Sequence, residues 1–206
     1  MNMPPGKVRL IAGRWRGTRL DVPGVAGLRP TSDRVRETLF NWLMPVLPGA
    51  RVLDLFAGTG ALGLEAMSRG AADVVLVERD AVLVEALRAL LARLPDASGG
   101  KVVQADALDW LRSTAEPRFD IAFVDPPFAA ALWPRVWPLL QPRLAAGALI
   151  YVEAPHDAPV DVPPAWELHR EGRTHEVRYA LYRAPALATP AATLGSDPVA
   201  GEPSRL

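Results

Sequence analysis

The chain has no cysteine, which excludes disulfides, thiolate metal sites and a cysteine nucleophile. Its three histidines, His156, His169 and His175, do not fall at metal-ligand spacing; they read as structural or surface residues, and no metal is expected. Lysine is nearly missing. Lys7 and Lys101 are the two in 206 residues, and arginine supplies the rest of the positive charge. No apolar run is long enough to span a bilayer, and the start lacks a basic segment followed by an apolar one. A soluble, cytoplasmic monomer is therefore the expectation, with any chemistry left to oxygen, nitrogen and backbone groups.

The formal net charge is zero, but it is unevenly spread. Within residues 1–36, Lys7, Arg9, Arg14, Arg16, Arg19, Arg29, Arg34 and Arg36 stand against only Asp21 and Asp33, a surplus of six positive charges. The remainder of the chain carries the opposite surplus. A basic lobe on an acidic body suits a polyanionic partner held at one end and different chemistry at the other. A solvated surface, with arginine favoured by a GC-rich genome, would give the same counts, so composition alone leaves nucleic acid open.

A chain of this length buries one sizeable core. Residues 8–11 and 18–22 read as a short hairpin, punctuated by Gly13 and Gly17. Pro30, Thr31 and Ser32 then start a helix that places Val35, Leu39, Trp42, Leu43 and Val46 on one face. From Arg51 onward strands alternate with helices: strands at 52–56, 74–77, 102–104, 119–124 and 148–152, and helices ending near residue 69, capped by Asp80, starting at Asp106, and spanning 133–144. Candidate strands at 166–170 and 177–182 have no helix between them and should pair antiparallel. The expectation is an α/β fold around a seven-stranded, mostly parallel sheet with an antiparallel C-terminal hairpin, preceded by a small basic N-terminal β-hairpin and helix. Residues 185–206 are rich in Ala, Pro, Thr, Gly and Ser and lack the apolar side chains that would offset their ordering entropy; a disordered tail is expected there. The implied division is 1–48, the basic lobe, 49–184, the catalytic domain, and 185–206, the tail.

Leu53-Asp54-Leu55-Phe56-Ala57-Gly58-Thr59-Gly60 is a strand running into a glycine turn at a helix start, the place where such sheets bind nucleotides. Gly58, Gly60 and Gly63 even satisfy the dinucleotide fingerprint, so the motif alone does not separate NAD from S-adenosylmethionine. Charge favours the second. Asp54, Glu78, Asp106 and Asp125 would line the pocket, and acids suit a cationic sulfonium better than a pyrophosphate. Gly58 and Gly60 are assigned to close backbone approach, Glu78 to ribose hydroxyls, Asp106 with Ala107 to the adenine edge, and Asp54 to the methionine amino group. Asp106 serves equally well as a plain helix N-cap.

The strand at 119–124 delivers Asp125-Pro126-Pro127-Phe128 to the same edge. Consecutive prolines fix φ and remove two backbone donors, leaving a rigid platform of acceptors. An exocyclic amine is a poor nucleophile because its lone pair is conjugated with the ring. If the Asp125 carboxylate and the Pro126 carbonyl accept its hydrogens, the nitrogen is pushed toward tetrahedral geometry and its lone pair is aimed. Phe128 would hold the base by stacking. An ordinary strand-ending turn with an Asp cap is the plain alternative.

Together, Arg14-Trp15-Arg16-Gly17, Leu28-Arg29-Pro30-Thr31, Asp33-Arg34-Val35-Arg36-Glu37-Thr38-Leu39-Phe40-Asn41, the 54–60 loop and Asp125-Pro126-Pro127-Phe128 resemble the RsmD family of bacterial 16S ribosomal RNA guanine-N2 methyltransferases, over about residues 8–183. The resemblance implies a Rossmann-like class I S-adenosylmethionine-dependent methyltransferase fold and a guanine in 16S rRNA, presented by a partly or fully assembled small ribosomal subunit, as acceptor. The expected cofactor-binding set is Asp54, Phe56, Gly58, Gly60, Glu78, Asp106 and Ala107. RNA contacts are expected from Arg14, Trp15, Arg16, Arg19, Arg34 and Arg36, with Trp15 either stacking on a base or packing the hairpin. Arg34, Glu37, Thr38 and Asn41 share one helix face and could close over the cofactor or touch RNA. One departure is Leu90, where relatives often carry Asn. Enzymes of the same chemistry acting on adenine N6 in DNA or on a protein glutamine are the rival readings.

Overall fold

Short apolar runs alternating with amphipathic helices fold as that pattern predicts, into one sheet with helices on both faces. In the computed structural model, which describes residues 6–22, 31–126 and 132–186, a hairpin of β1 (Gly6–Arg9) and β2 (Arg19–Val22) precedes helix α1 (Asp33–Leu43). The chain then runs β3 (Arg51–Asp54), α2 (Ala61–Ser68), β4 (Asp73–Glu78), α3 (Ala81–Leu91), β5 (Gly100–Gln104), α4 (Ala107–Ser113), β6 (Phe119–Val124), α5 (Trp133–Leu140), β7 (Leu144–Pro155), β8 (Glu167–Arg173) and β9 (Val177–Arg183). Seven strands form one sheet in the order β5-β4-β3-β6-β7-β9-β8. From β5 to β7 the pairs are parallel, and β9 runs antiparallel to both β7 and β8. This is the Rossmann-like methyltransferase sheet that the resemblance implies. Strand order reverses between β3 and β6, so a crevice opens beyond their carboxyl ends.

Each face of the sheet carries its own core. On one side α1, α2, α3 and the hairpin meet Val52, Val74, Leu76, Ile121, Phe123, Leu149 and Tyr151. On the other, α4 and α5 cover Leu53, Val75, Val77, Ala122, Val124, Ile150 and Val152. Phe123 lies edge-on to both Phe40 of α1, at 6.0 Å and 73°, and Tyr151 of β7, at 6.2 Å and 83°. Such edge contacts add about 0.5–1.5 kcal/mol each beyond area burial. The cap residues expected of α1, α3 and α4 all act as such: Ser32, Asp80 and Asp106 accept backbone N–H bonds from the first turns of their helices.

Several boundaries differ from the sequence expectation. The helix expected over 133–144 ends at Leu140 and gives way to a 3-10 turn, Gln141–Arg143. Pro138 and Pro142 withhold the N–H groups that an α-helix would need there, and Leu144 already pairs with Phe119 as the first residue of β7. Helix α1 stops at Leu43, with Met44 as its C-cap, so Val46 is 44 % exposed instead of continuing the apolar face. Trp166 precedes β8 and is buried against Trp137 of α5. The tail expected at 185–206 lies outside the described residues from 187 on.

Candidate active site

Two adjacent parallel strands, β3 and β6, end together at the switch point, with Asp54 paired to Phe123. Everything expected of the catalytic centre follows from what leaves these two strand ends. After β3 the chain makes the glycine turn. Gly58 and Gly60 both adopt left-handed φ, 52° and 74°, a conformation that L side chains rarely tolerate. Packing adds a second reason at Gly60, where a Cβ would stand 2.4 Å from Leu87 Cδ2. Gly60 is also the N-cap of α2 and supplies no capping side chain. The helix thus opens toward the crevice with backbone alone.

The acids around this turn hold the loop itself. Asp54 is buried, and its Oδ2 accepts the Gly63 N–H at 2.9 Å. Glu78, at the end of β4, accepts from Gly58 N at 2.8 Å through Oε2 and from Asp80 N at 2.8 Å through Oε1. Asp106 uses Oδ1 on Leu108 N and Asp109 N, at 2.9 and 3.3 Å, so its helix-capping role is present in the fold. Ala107 is buried and Phe56 half-buried at the same edge. Burial, offset by the Gly63 hydrogen bond and reinforced by Glu78, pushes the Asp54 carboxyl up to about 7. Acidic groups are therefore crowded and poorly solvated here, and their ionisation calls for a compensating cation. Glycines without Cβ and acidic acceptors suit a nucleoside that bears a positive charge, and suit a pyrophosphate poorly.

After β6 the chain gives Asp125 and the buried Pro126. Pro127 and Phe128, the other two residues assigned to the catalytic loop, lie outside the described residues. Burial, then Glu153, then Asp54 push the Asp125 carboxyl well above the ordinary carboxylate range. Glu153, on β7, was not singled out from the sequence, although an acid inside the apolar run of residues 149–155 is itself a signal. It is 5 % exposed and accepts the Tyr151 hydroxyl at 2.6 Å.

The expected RNA-contacting residues divide into two groups. Arg16, Arg19 and Arg34 are exposed. Trp15 and Arg36 are not available to a substrate in this structure. The Trp15 ring is buried, with Nε1 donating to Pro95 O at 3.0 Å, so of its two expected roles the packing one holds. Arg36 is fully buried; its NH2 donates to Arg9 O at 2.8 Å and to Asp33 Oδ1 at 2.6 Å, and its NH1 lies 3.8 Å from Glu65. Arg14, like Arg16, is exposed, although its guanidinium donates to Met67 O and Asp96 O and covers the Trp15 ring at 5.1 Å. Charge alone reads Arg36 as a surface residue, although it precedes Leu39, Phe40 and Leu43 by three, four and seven positions and so shares the buried face of α1. Asp33, the Arg9 carbonyl and, farther off, Glu65 together compensate its buried charge.

Glu65 is the matching residue that sequence reasoning missed. Fully buried on α2, it accepts from Ile11 N at 2.7 Å, Ala12 N at 2.9 Å and Arg69 Nε at 2.7 Å. Three residues later Ser68 accepts from Trp15 N at 3.0 Å and donates to Ala12 O at 2.6 Å. The helix that begins at the glycine turn therefore also fastens the basic hairpin. Among the described residues no cluster of acids and histidines could hold a metal ion, and no helix is long and apolar enough to cross a membrane.

Comparison with known proteins agrees with this geometry. Residues 8–183 match the family described as Conserved hypothetical protein 95. The ribosomal RNA small subunit methyltransferase D of Escherichia coli K12 is 48% identical over 181 residues, covering 86% of this chain and 90% of that protein. The protein of the same name from Haemophilus influenzae is 44% identical over 182 residues, covering 86% and 94%. The solved structure of the Escherichia coli protein yhhF superposes with a TM-score of 0.78 at 46% identity, covering 88% of this chain and 99% of that one.

Proposed function

The chain belongs to the family described as Conserved hypothetical protein 95, and we propose that it transfers a methyl group from S-adenosylmethionine to the exocyclic N2 amine of a guanine in 16S ribosomal RNA, on a partly or fully assembled small subunit. The observation that carries this reading is the meeting of two loops at one switch point: the acid-lined glycine turn after β3 and Asp125-Pro126 after β6. One supports a cationic nucleoside; the other supports an amine.

S-adenosylmethionine supplies an electrophilic methyl group on a sulfonium, so the protein needs neither a metal nor a covalent intermediate. Gly58 and Gly60 would let its backbone approach, Glu78 would take the ribose hydroxyls, and Asp106 with Ala107 the adenine edge. Asp54 would face the amino group, with Phe56 beside it. Because Glu78 and Asp106 already accept backbone N–H bonds, they are held in place before any ligand arrives, which lowers the ordering cost of binding. Asp125 and the Pro126 carbonyl would accept the hydrogens of the amine and localise its lone pair; Pro127 and Phe128 would complete the base platform. Fixing nucleophile and electrophile in line supplies much of the rate. Residues 1–48 would form the RNA-docking part through Arg16, Arg19 and Arg34, rigidly placed by Glu65 and Ser68.

The decisive experiment supplies labelled S-adenosylmethionine and small subunits lacking the modification, then digests the RNA and identifies the labelled nucleoside. Labelled N2-methylguanosine is expected. Label in adenosine, in DNA or in protein would overturn the guanine assignment and leave the fold and donor standing.

A further inference from the structure

The crevice contains a further acid, Glu153, with no role in the chemistry described so far. Phe123 of β6 pairs with Tyr151 of β7, and Val124 with Val152, so the residues that follow, Asp125 and Glu153, leave neighbouring strands side by side. Side chains alternate along a strand. Ile121, Phe123, Leu149 and Tyr151 all face the core beneath α1, which places Asp125 and Glu153 on that same face. Glu153 is withdrawn from water and held by the Tyr151 hydroxyl at 2.6 Å, while the Tyr151 ring is fixed edge-on by Phe123.

The groups facing this pair sharpen the case. From β3 comes Asp54, itself raised by the nearby charge of Glu78 of β4, and from β9 comes the phenol of Tyr179, paired across from Glu153. Helix α1 presents the rings of Phe40 and Trp42, against Phe123 and Tyr179, and its buried cation, Arg36, is turned to Arg9, Asp33 and Glu65. Burial and then Glu153 raise the Tyr151 phenol as they raise Asp125. Two carboxylates in one poorly solvated place give up their protons in separate steps that belong to the pair.

We infer that Glu153 is a positioning residue of the methyl-transfer centre, which works through Asp125 to take over the proton that the acceptor amine releases. The inference rests on the proposed amine methylation. As the amine nitrogen uses its lone pair to bond the methyl carbon, the electrons of the breaking carbon–sulfur bond remain on sulfur. The nitrogen is then cationic and must lose one of its hydrogens as a proton. Asp125, already accepting that hydrogen, takes the proton onto a carboxylate oxygen; Glu153 receives it in turn and passes it to water when the product leaves. Tyr151 keeps Glu153 aimed at its neighbour.

The test uses the full chain, unmodified small subunits and saturating S-adenosylmethionine, with the rate measured across pH. Glu153→Gln keeps the size and the acceptor for Tyr151 but cannot carry the proton. It should lower kcat about tenfold, a modest share of what acid–base groups contribute, while the subunit KM and the calorimetric affinity for S-adenosylmethionine stay at wild-type values. Its acid limb should move to lower pH, because Asp125 loses the like charge that raises it. Glu153→Asp should return most of the rate and the wild-type limb. Tyr151→Phe, which removes a single hydroxyl, should shift the limb the same way by a smaller amount, since a less supported Glu153 holds the proton more firmly. Wild-type kcat and limb in either Glu153→Gln or Tyr151→Phe, or a change confined to the melting temperature, overturns the inference. Failure of the wild-type enzyme to label guanine overturns the reading beneath it, and the same assay reports that before any variant is compared.

Discussion

Glu65 on α2 and Asp54 at the end of β3 lie on either side of one glycine turn, are both buried acids, and have opposite surroundings. Glu65 is enclosed by two backbone N–H groups and the Arg69 guanidinium, with Arg36 nearby. Asp54 has the Gly63 N–H, and its charged neighbours include Glu78 and Asp125, which are acids too. A buried charge is tolerated when partners within the fold repay its desolvation. Where the fold instead gathers like charges, a ligand is the natural source of compensation, and strongly displaced ionisation marks functional sites more often than structural ones. Glu65 fastens the basic lobe; on the Asp54 side the cation of the proposed donor would supply the compensation.

Breaking each side should have a different signature. The largest effect is expected at Asp125: Asp125→Ala should lower methyl transfer about 10²–10⁴-fold with S-adenosylmethionine affinity near wild type, whereas Asp125→Asn should retain part of the rate because its amide oxygen still accepts a hydrogen. Calorimetry beside single-turnover kinetics separates the two quantities, and a parallel loss of affinity would place Asp125 on the cofactor instead. Next comes Glu65→Ala, which leaves the Ile11 and Ala12 N–H groups and Arg69 Nε without their acceptor and removes the carboxylate that faces buried Arg36. It should cost roughly 3–5 kcal/mol of stability in urea denaturation and loosen the hairpin; a loss under 1 kcal/mol would mean that Glu65 does not fasten the lobe.

Asp54→Asn tests the opposite sign. The folded pKa of Asp54, about 7, lies above its ordinary value of 3.8, so the folded state holds the extra proton between these values. Stability of the ligand-free protein is therefore lost as pH rises through that window. Asn keeps the acceptor for Gly63 and has no charge to bury. The variant should be more stable than wild type on the alkaline side, by on the order of 1–4 kcal/mol, and should bind S-adenosylmethionine more weakly. Equal pH dependence in the two proteins would remove the charge argument. The smallest structural effect belongs to the exposed arginines. Arg16→Glu, Arg19→Glu and Arg34→Glu together should leave folding and cofactor affinity intact, weaken RNA binding, and flatten the dependence of log affinity on log salt by roughly 0.7 per lost phosphate contact. An unaltered slope would show that these arginines only solvate the lobe.

The same contrast explains what could be read without coordinates. Strands, the glycine turn and the double proline were legible because they depend on neighbours in sequence: alternation of apolar residues, φ that only glycine tolerates, caps two or three positions from the helix they start. Asp106 was legible as a helix cap for that reason. Arg36 and Trp15 were assigned to RNA because an arginine-rich segment reads as a surface, and the partners that compensate their burial include Glu65 and Pro95, residues 29 and 80 positions away. Glu153 went unassigned because its neighbour, Asp125, belongs to another strand, and a lone acid in an apolar run has no visible partner until register is known.

By itself, then, the sequence determined the order of elements, the parallel sheet with its antiparallel end, the family and the place of the two loops, since each is written in local spacing. The tertiary structure alone decided which charges are compensated. Strand order brought Asp54, Asp125 and Glu153 to one face of the sheet, and the docking of the hairpin gave the buried Arg36 an acceptor in Arg9 O. Coulombic and desolvation energies depend on distance and burial in space, and neither quantity is a function of position along the chain.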